Sequence, residues 1–358
     1  MPDKVITSID QVTTRWLTSV LAARGALING AVAAFDVDPG RGNWSTNARL
    51  NLRYTAGSQG ALPRRLFLKM VNTDLANGSF DSSEVNYYTR DYEGVAGAPL
   101  VPCYDAAFSG QLKRYHILLD DLSETHIEAS EKAPTLAYGL ALADGLAAIH
   151  ARWWAAGRFL ELGAAMHTAG QIQRFVDASK PGAAHILDHF QNELKPHWPD
   201  AIRTLYARHP QALISRTQDD NGFTLIHGDA GCYNILVPRQ GDQPIYLIDR
   251  QPFDWSLTTW LGVYDLAYAL VLDWEIELRR RFEADILRRY HEQLTRNGVG
   301  GYTWEQLLHD YRLCVATCVY VAAEYFTGSV DGPWIPIRLL KLQRSLTACD
   351  DLHCDELW

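Results

Sequence analysis

The feature that most constrains how this chain folds is a change of hydrophobic period near residue 120. Before it, apolar residues come in short runs with two-residue alternation; beyond it they recur at helical spacing over long stretches. Strands first and helices second predict an α+β chain in two packed parts, not an alternating parallel α/β sheet. At 358 residues and 47% hydrophobic content there is enough apolar surface for more than one core. We expect a small antiparallel-sheet lobe over 1–119, a hinge at 120–123 and a mainly helical lobe over 124–358.

Within the first part, Ser8 and Gln11 resemble a capping box, and the spacing predicts one helix from Ser8 to Gly25. Ala31 to Asp38 reads as extended, Pro39 to Asn43 as a turn, and Ala48 to Tyr54 as a returning strand. Leu66 to Val71 is an apolar strand holding one lysine, Lys69, and a helix through Glu84, Tyr87 and Tyr88 follows. Two more strands are predicted at Leu100 to Ala106 and Tyr115 to Leu119. Later helices are expected at Leu136 to Trp154, Ile172 to Leu194, Tyr264 to Trp274, Glu275 to Arg296 and Trp304 to Phe326.

Charge and cysteine usage exclude several classes. A formal net charge of -9 speaks against a nucleic-acid partner, which needs clustered cations to displace counterions. The most apolar helical stretch carries Asp144, His150 and Arg152, so no membrane span is expected; with no secretion signal at Met1 to Lys4, the expected location is the cytoplasm. Six cysteines in so long a chain make no disulfide framework. Cys314 and Cys318 share a helix face and read as core residues, and Cys349, His353 and Cys354 lack a fourth ligand at zinc spacing.

The chemistry concentrates in Leu225 to Val237, LIHGDAGCYNILV, where an apolar run breaks for a polar corner and then resumes. Asp229 and Asn234 flank that corner, and Asp249 ends a second short run, Pro244 to Asp249. Two carboxylates and an amide are oxygen ligands suited to magnesium, a hard cation that keeps waters and binds substrate phosphates. Taken singly, each is an ordinary turn residue. Lys69 inside an apolar strand needs a counter-charge, and Glu84 on the next helix is the candidate. Tyr233, Trp255 and Trp260 lie near these motifs and read equally as core aromatics.

His227-Gly228-Asp229, Asn234 and Ile248-Asp249 together resemble the paired motifs of the aminoglycoside phosphotransferase and choline kinase group, relatives of the protein kinases. Gly40-Arg41-Gly42, the hinge motif Leu118-Leu119-Asp120-Asp121-Leu122-Ser123 and Tyr264-Asp265-Leu266-Ala267-Tyr268 look closest to the ecdysteroid-kinase-like branch and its bacterial relatives. The resemblance implies a bilobal protein-kinase-like fold and transfer of the γ-phosphoryl group of ATP, with magnesium, to a hydroxyl of a small molecule. It makes Asp229 the catalytic base, Asn234 and Asp249 the magnesium ligands, and Lys69 with Glu84 the grip on the α- and β-phosphates. Gly40, Gly42, Leu119, Asp120, Asp121 and Leu122 would also meet the nucleotide, while His227 and Asp265 would brace the catalytic loop. Only sixteen positions separate Asp249 from Asp265, too few for an activation segment of protein-kinase type, which points away from protein substrates.

Two positions depart from the pattern: Gly231 stands where bacterial relatives often carry His, and Arg250 stands where an aromatic often follows the metal-binding aspartate. Arg250 is left to pair with a carboxylate or a phosphate, or to point outward. Two other readings remain: a non-catalytic nucleotide-binding pseudokinase, and a metal-dependent hydrolase, for which His227 stands without the further ligands it needs. The acceptor, the choice of ATP or GTP, and the oligomeric state are not written in these motifs.

Overall fold

The computed structural model describes residues 5–42, 44–74, 80–251, 258–328 and 332–358. Met1 to Lys4, Asn43 and Trp255, invoked above, lie outside them. The chain forms an antiparallel sheet in its N-terminal region and helices in its C-terminal region. It divides into two compact units, Met1–Gly94 with Leu100–Ile127 and Pro238–Trp255, and Val95–Pro99 with Glu128–Val237 and Ser256–Trp358. Neither unit is one continuous stretch of sequence.

The first unit is built on helix α1 (Thr14–Ala23) and strands β1 (Val32–Arg41), β2 (Ser45–Tyr54), β3 (Arg65–Val71), β4 (Cys103–Ser109) and β5 (Arg114–Asp120). All pairs are antiparallel, in the order β1-β2-β3-β5-β4. Along β2, Ala48, Leu50 and Leu52 are buried while Arg49, Asn51 and Arg53 are exposed, the alternation of a strand with one covered face. The covered face joins Leu66, Leu68 and Met70 of β3 and Leu17 and Leu21 of α1 in one core. Each such buried aliphatic side chain contributes about 1.5–3 kcal/mol. Because strand side chains alternate, Lys69 between Leu68 and Met70 emerges on the other face, opposite Asn47 and Ile117.

Several expected boundaries move. Ser8 and Gln11 do form a capping box, but it closes a single 3₁₀ turn, Ile9–Gln11, and Val12 is then extended. A second cap, Thr13, starts α1 by accepting the Trp16 N–H at 3.1 Å, so two start signals in succession divide what reads as one helix. In the hairpin, Pro39, Gly40 and Arg41 belong to β1, and the turn proper is shorter, closed by the Gly42 N–H on Ser45 O at 3.0 Å. Proline is tolerated there because β1 is an edge strand. A Cβ on Gly42 would sit 2.5 Å from Ser45 Oγ, a contact that rotation of the serine hydroxyl would relieve. β4 begins only at Cys103, after Pro102, and Leu100 makes one isolated bridge to Leu247. The helix bearing Glu84 is α2 (Ser83–Asn86), continued by a π turn over Tyr87–Asp91.

The second unit holds α3 (Leu136–Arg152), α4 (Ala156–Phe159), α5 (Ala169–His189), α6 (Trp198–Arg216), α7 (Val263–Asp273), α8 (Ile276–Arg296), α9 (Trp304–Glu324) and α10 (Ile335–Asp351). α6 and α10 are absent from the sequence expectation. Both carry a proline as their second residue, Pro199 and Pro336, and α6 carries Pro210 inside it, so breaker residues mask their helical spacing. A short antiparallel pair, Phe223–Leu225 with Thr259–Leu261, delivers the chain to the polar corner at His227. Among the described residues, no helix is long and apolar enough to cross a membrane.

Candidate functional site

In the first unit, Lys69 Nζ donates to Glu84 Oε1 at 2.8 Å, to Glu84 Oε2 at 3.0 Å and to Asp249 Oδ1 at 2.8 Å. The Lys69 side chain is 13% exposed, Glu84 2% and Asp249 48%. Burial disfavours the Lys69 ammonium, but Asp249 and Glu84 outweigh it and hold its pKa above the ordinary lysine value, so it stays charged. Burial pushes the Glu84 carboxyl up, with Lys69 pulling against it, and the Tyr115 hydroxyl donates to the same carboxylate. One cation thus serves two carboxylates. Asp249 sits at φ +58°, a left-handed conformation that Asp tolerates better than most residues.

The segment from Leu119 to Ser123 is braced from inside the unit. Asp121 accepts from the Ser123 N–H at 3.0 Å and lies 2.9 Å from the Arg65 guanidinium. The Asp120 N–H goes to Pro102 O and the Asp121 N–H to Arg65 O. Leu119 is buried, and the Leu122 carbonyl accepts from the Thr125 and His126 N–H groups. By register Asp120 faces the Leu66 side of the sheet, away from the Lys69 side. Burial, then neighbouring Asp121, raises its pKa. Gly40 lies within β1, opposite Asn47.

In the second unit, helix α7 shapes the loop from His227 to Asn234. Asp265, in its first turn, accepts the His227 N–H at 2.7 Å and the Gly228 N–H at 2.9 Å, and contacts His150 Nε2 at 3.1 Å. Burial would raise the Asp265 pKa, but His150, His227 and the Gly228 N–H hold it below the usual carboxylate value. Gly228 turns the chain at φ +85°, where a side chain would strain the backbone. At the other end of α7, Asp273 accepts the Cys232 N–H at 2.7 Å and pairs with Lys341. Between them the Tyr268 hydroxyl donates to Asp229 Oδ1 at 2.7 Å, and Asn234 Nδ2 donates to Asp229 Oδ2 at 2.9 Å.

This packing supplies a physical reason for Gly231. A Cβ there would lie 3.2 Å from Tyr268 Cε1 and 3.3 Å from Asp273 Oδ2, so the ring that orients Asp229 takes the room a side chain would need. His227 is buried in the same loop.

Each unit carries oxygen donors of the kind a hard cation takes: in the second the Asn234 nitrogen faces Asp229, which leaves its amide oxygen for another partner, and in the first the Asp249 carboxylate is half-exposed. Among the described residues, no group of three or more His, Cys, Asp or Glu is arranged to hold a metal by itself.

The structure thus gathers Lys69, Glu84 and Asp249 in one unit, and His227, Asp229, Asn234 and Asp265 in the other. Sequence reasoning missed Tyr115, Tyr268, Asp273 and Asp91, the last of which contacts Arg250. A signal for Asp273 was present: two aspartates bracket an otherwise apolar helix, and buried acids need donors.

Solved structures share this fold. A choline kinase from Cryptosporidium parvum aligns over 96% of this chain and 98% of its own, with a TM-score of 0.57 at 10% identity. An ethanolamine kinase from Plasmodium vivax aligns over 87% of this chain and 82% of its own, with a TM-score of 0.53 at 12% identity. A glucosamine kinase in complex with glucosamine, ADP and inorganic phosphate aligns over 95% and 100%, with a TM-score of 0.51 at 12% identity. No curated protein sequence matches the chain. Residues 100–298, more than half of the sequence and including the Asp229 loop and Asp265, match the ecdysteroid kinase-like family (EcKL). The chain, α+β with a protein-kinase-like fold, belongs to the ecdysteroid kinase-like family.

Proposed function

We propose that this protein is an ATP- and magnesium-dependent phosphotransferase acting on a hydroxyl of a small molecule. The observation that carries this reading is Lys69 held between Glu84 and Asp249, a charged, geometrically defined cation beside an accessible carboxylate. Phosphoryl transfer asks mainly for alignment and charge neutralisation, and this cluster offers both. Lys69 would turn to the phosphates. Asn234 and Asp249 would hold magnesium, which when bound neutralises phosphate charge.

Asp229 would take the proton of the acceptor hydroxyl at one carboxylate oxygen. Tyr268 and Asn234 orient that carboxylate, and Asp265 fixes the loop beneath it. The structural neighbours include kinases named for choline, ethanolamine and glucosamine, all small molecules bearing hydroxyl groups, which supports an acceptor of that class. The competing reading as a non-catalytic nucleotide binder has against it the retention of every one of these groups.

The test is incubation with magnesium, ATP and a panel of hydroxyl-bearing metabolites and antibiotics, scored by mass for a phosphoryl adduct. An adduct with at least one is expected, abolished by Asp229→Asn and by Asp249→Asn, with Asp229→Asn still binding ATP. Absence of any adduct while ATP binds would leave the non-catalytic reading standing.

A further inference from the structure

Arg250 is among the largest fully buried side chains, and its Nη1 lies 3.2 Å from the Ser83 carbonyl and 3.4 Å from Asp91 Oδ2. Asp91 is equally buried, and its other oxygen accepts from Arg90 at 2.8 Å. One guanidinium therefore meets the first residue of α2 and the last residue of the π turn that continues it. Next to it, Ser83 Oγ donates to the Gln251 carbonyl at 2.6 Å. Glu84 stands between these attachments, directly after Ser83, and Asp249 directly precedes Arg250.

We infer that Arg250 and Asp91 form a positioning clamp that holds the Glu84 helix to the Asp249 segment independently of Lys69. The reason lies in the charges. Lys69 bridges Glu84 and Asp249 and is itself a tie between helix and segment. A lysine that turns towards a phosphate loosens that tie and exposes two like charges to each other. The bonds that remain, Ser83 to Gln251 and Arg250 to Ser83 and Asp91, then hold helix to segment, and the buried Arg250–Asp91 pair is the charged one among them. The π turn fits this use: such turns are rare and concentrate at functional sites, and here one sets the direction in which Asp91 points.

The clamp itself stands on geometry; only its use by the nucleotide rests on the kinase reading. Hydrogen exchange of the amides from Glu84 to Asp91 separates the two ties. The double variant Arg250→Leu with Asp91→Leu removes both buried charges together, which keeps the fold where a single change would strand one. We expect its amides over this helix to exchange at least about tenfold faster than in the wild type at an unchanged melting temperature. Lys69→Met combined with Glu84→Gln, which strands no buried carboxylate, should leave those amides within about twofold of wild type. Wild-type exchange in the Arg250→Leu, Asp91→Leu variant, or loss of protection in the Lys69→Met, Glu84→Gln variant, overturns the clamp.

Calorimetric binding of MgATP to the same proteins gives the second readout, with about tenfold weaker binding expected in the Arg250→Leu, Asp91→Leu variant. Undiminished binding would overturn the positioning role. A wild type that binds no MgATP would instead sink the proposed function, and the exchange result would still decide the clamp.

Discussion

At the scale of single residues, the site depends on how few options each side chain is left. Asp229 has both carboxylate oxygens engaged, by Tyr268 and by Asn234, so its direction is set before any ligand arrives. Removing the tyrosine hydroxyl should loosen that direction without emptying the core. Tyr268→Phe is expected to lower kcat by about 10- to 100-fold, to change KM for ATP little and to cost stability only about 1 kcal/mol. Steady-state kinetics beside a urea titration would check this, and unchanged kcat would remove Tyr268 from the site. Asp229 and Asn234 were legible in the sequence because a polar corner between apolar runs is locally anomalous. Tyr268 was not, because a tyrosine on an apolar helix looks like any other core residue until its neighbours are known.

At the scale of elements, α7 is the template for the loop from His227 to Asn234, with Asp265 at one end, Asp273 at the other and Tyr268 between. Asp265→Asn replaces two acceptor oxygens by one and sets an NH₂ group against a backbone N–H. An unsatisfied buried donor costs about 1–3 kcal/mol, and that loss should appear in denaturant unfolding at neutral pH. The sign of its pH dependence follows from the depressed pKa of Asp265. The stabilisation is complete above the unfolded carboxylate value, about 3.9, and is lost as pH falls through the lower folded value. The Asn variant should therefore lack that part of the acid transition; an identical acid limb in both proteins would contradict the assignment. Elements were mostly readable from periodicity, and the failures share a cause. The break at Val12, the strand running through Pro39 and the helix containing Pro210 all pit a local signal against packing that is visible only in three dimensions.

At the scale of the whole molecule, burial couples stability to acid. His209 is buried, with Nδ1 against the Tyr320 hydroxyl, and burial pulls its pKa down to about 3. Burial likewise brings His167 down to about 4. Unfolded histidine titrates near pH 6.5, so the stability these neutral rings support is complete above about 6.5 and falls as pH drops towards 4 and then 3. Each contributes a slope of up to about 1.4 kcal/mol per pH unit in that window. Denaturant midpoints taken from pH 7 to pH 5 should decline, and His209→Gln should flatten the decline; a flat wild-type profile would refute it.

The sequence by itself determined the change from strands to helices and the identities of Lys69, Glu84, Asp229, Asn234 and Asp249 as candidates, because hydrophobic period and buried-charge cost act locally along the chain. Only the tertiary structure decided that residues 238–251 pack with the first unit, that Arg250 turns inward to Asp91, and that Tyr268 packs closely beside Gly231. Those outcomes depend on which distant surfaces meet, and close packing leaves each such meeting one arrangement that no single stretch of sequence encodes.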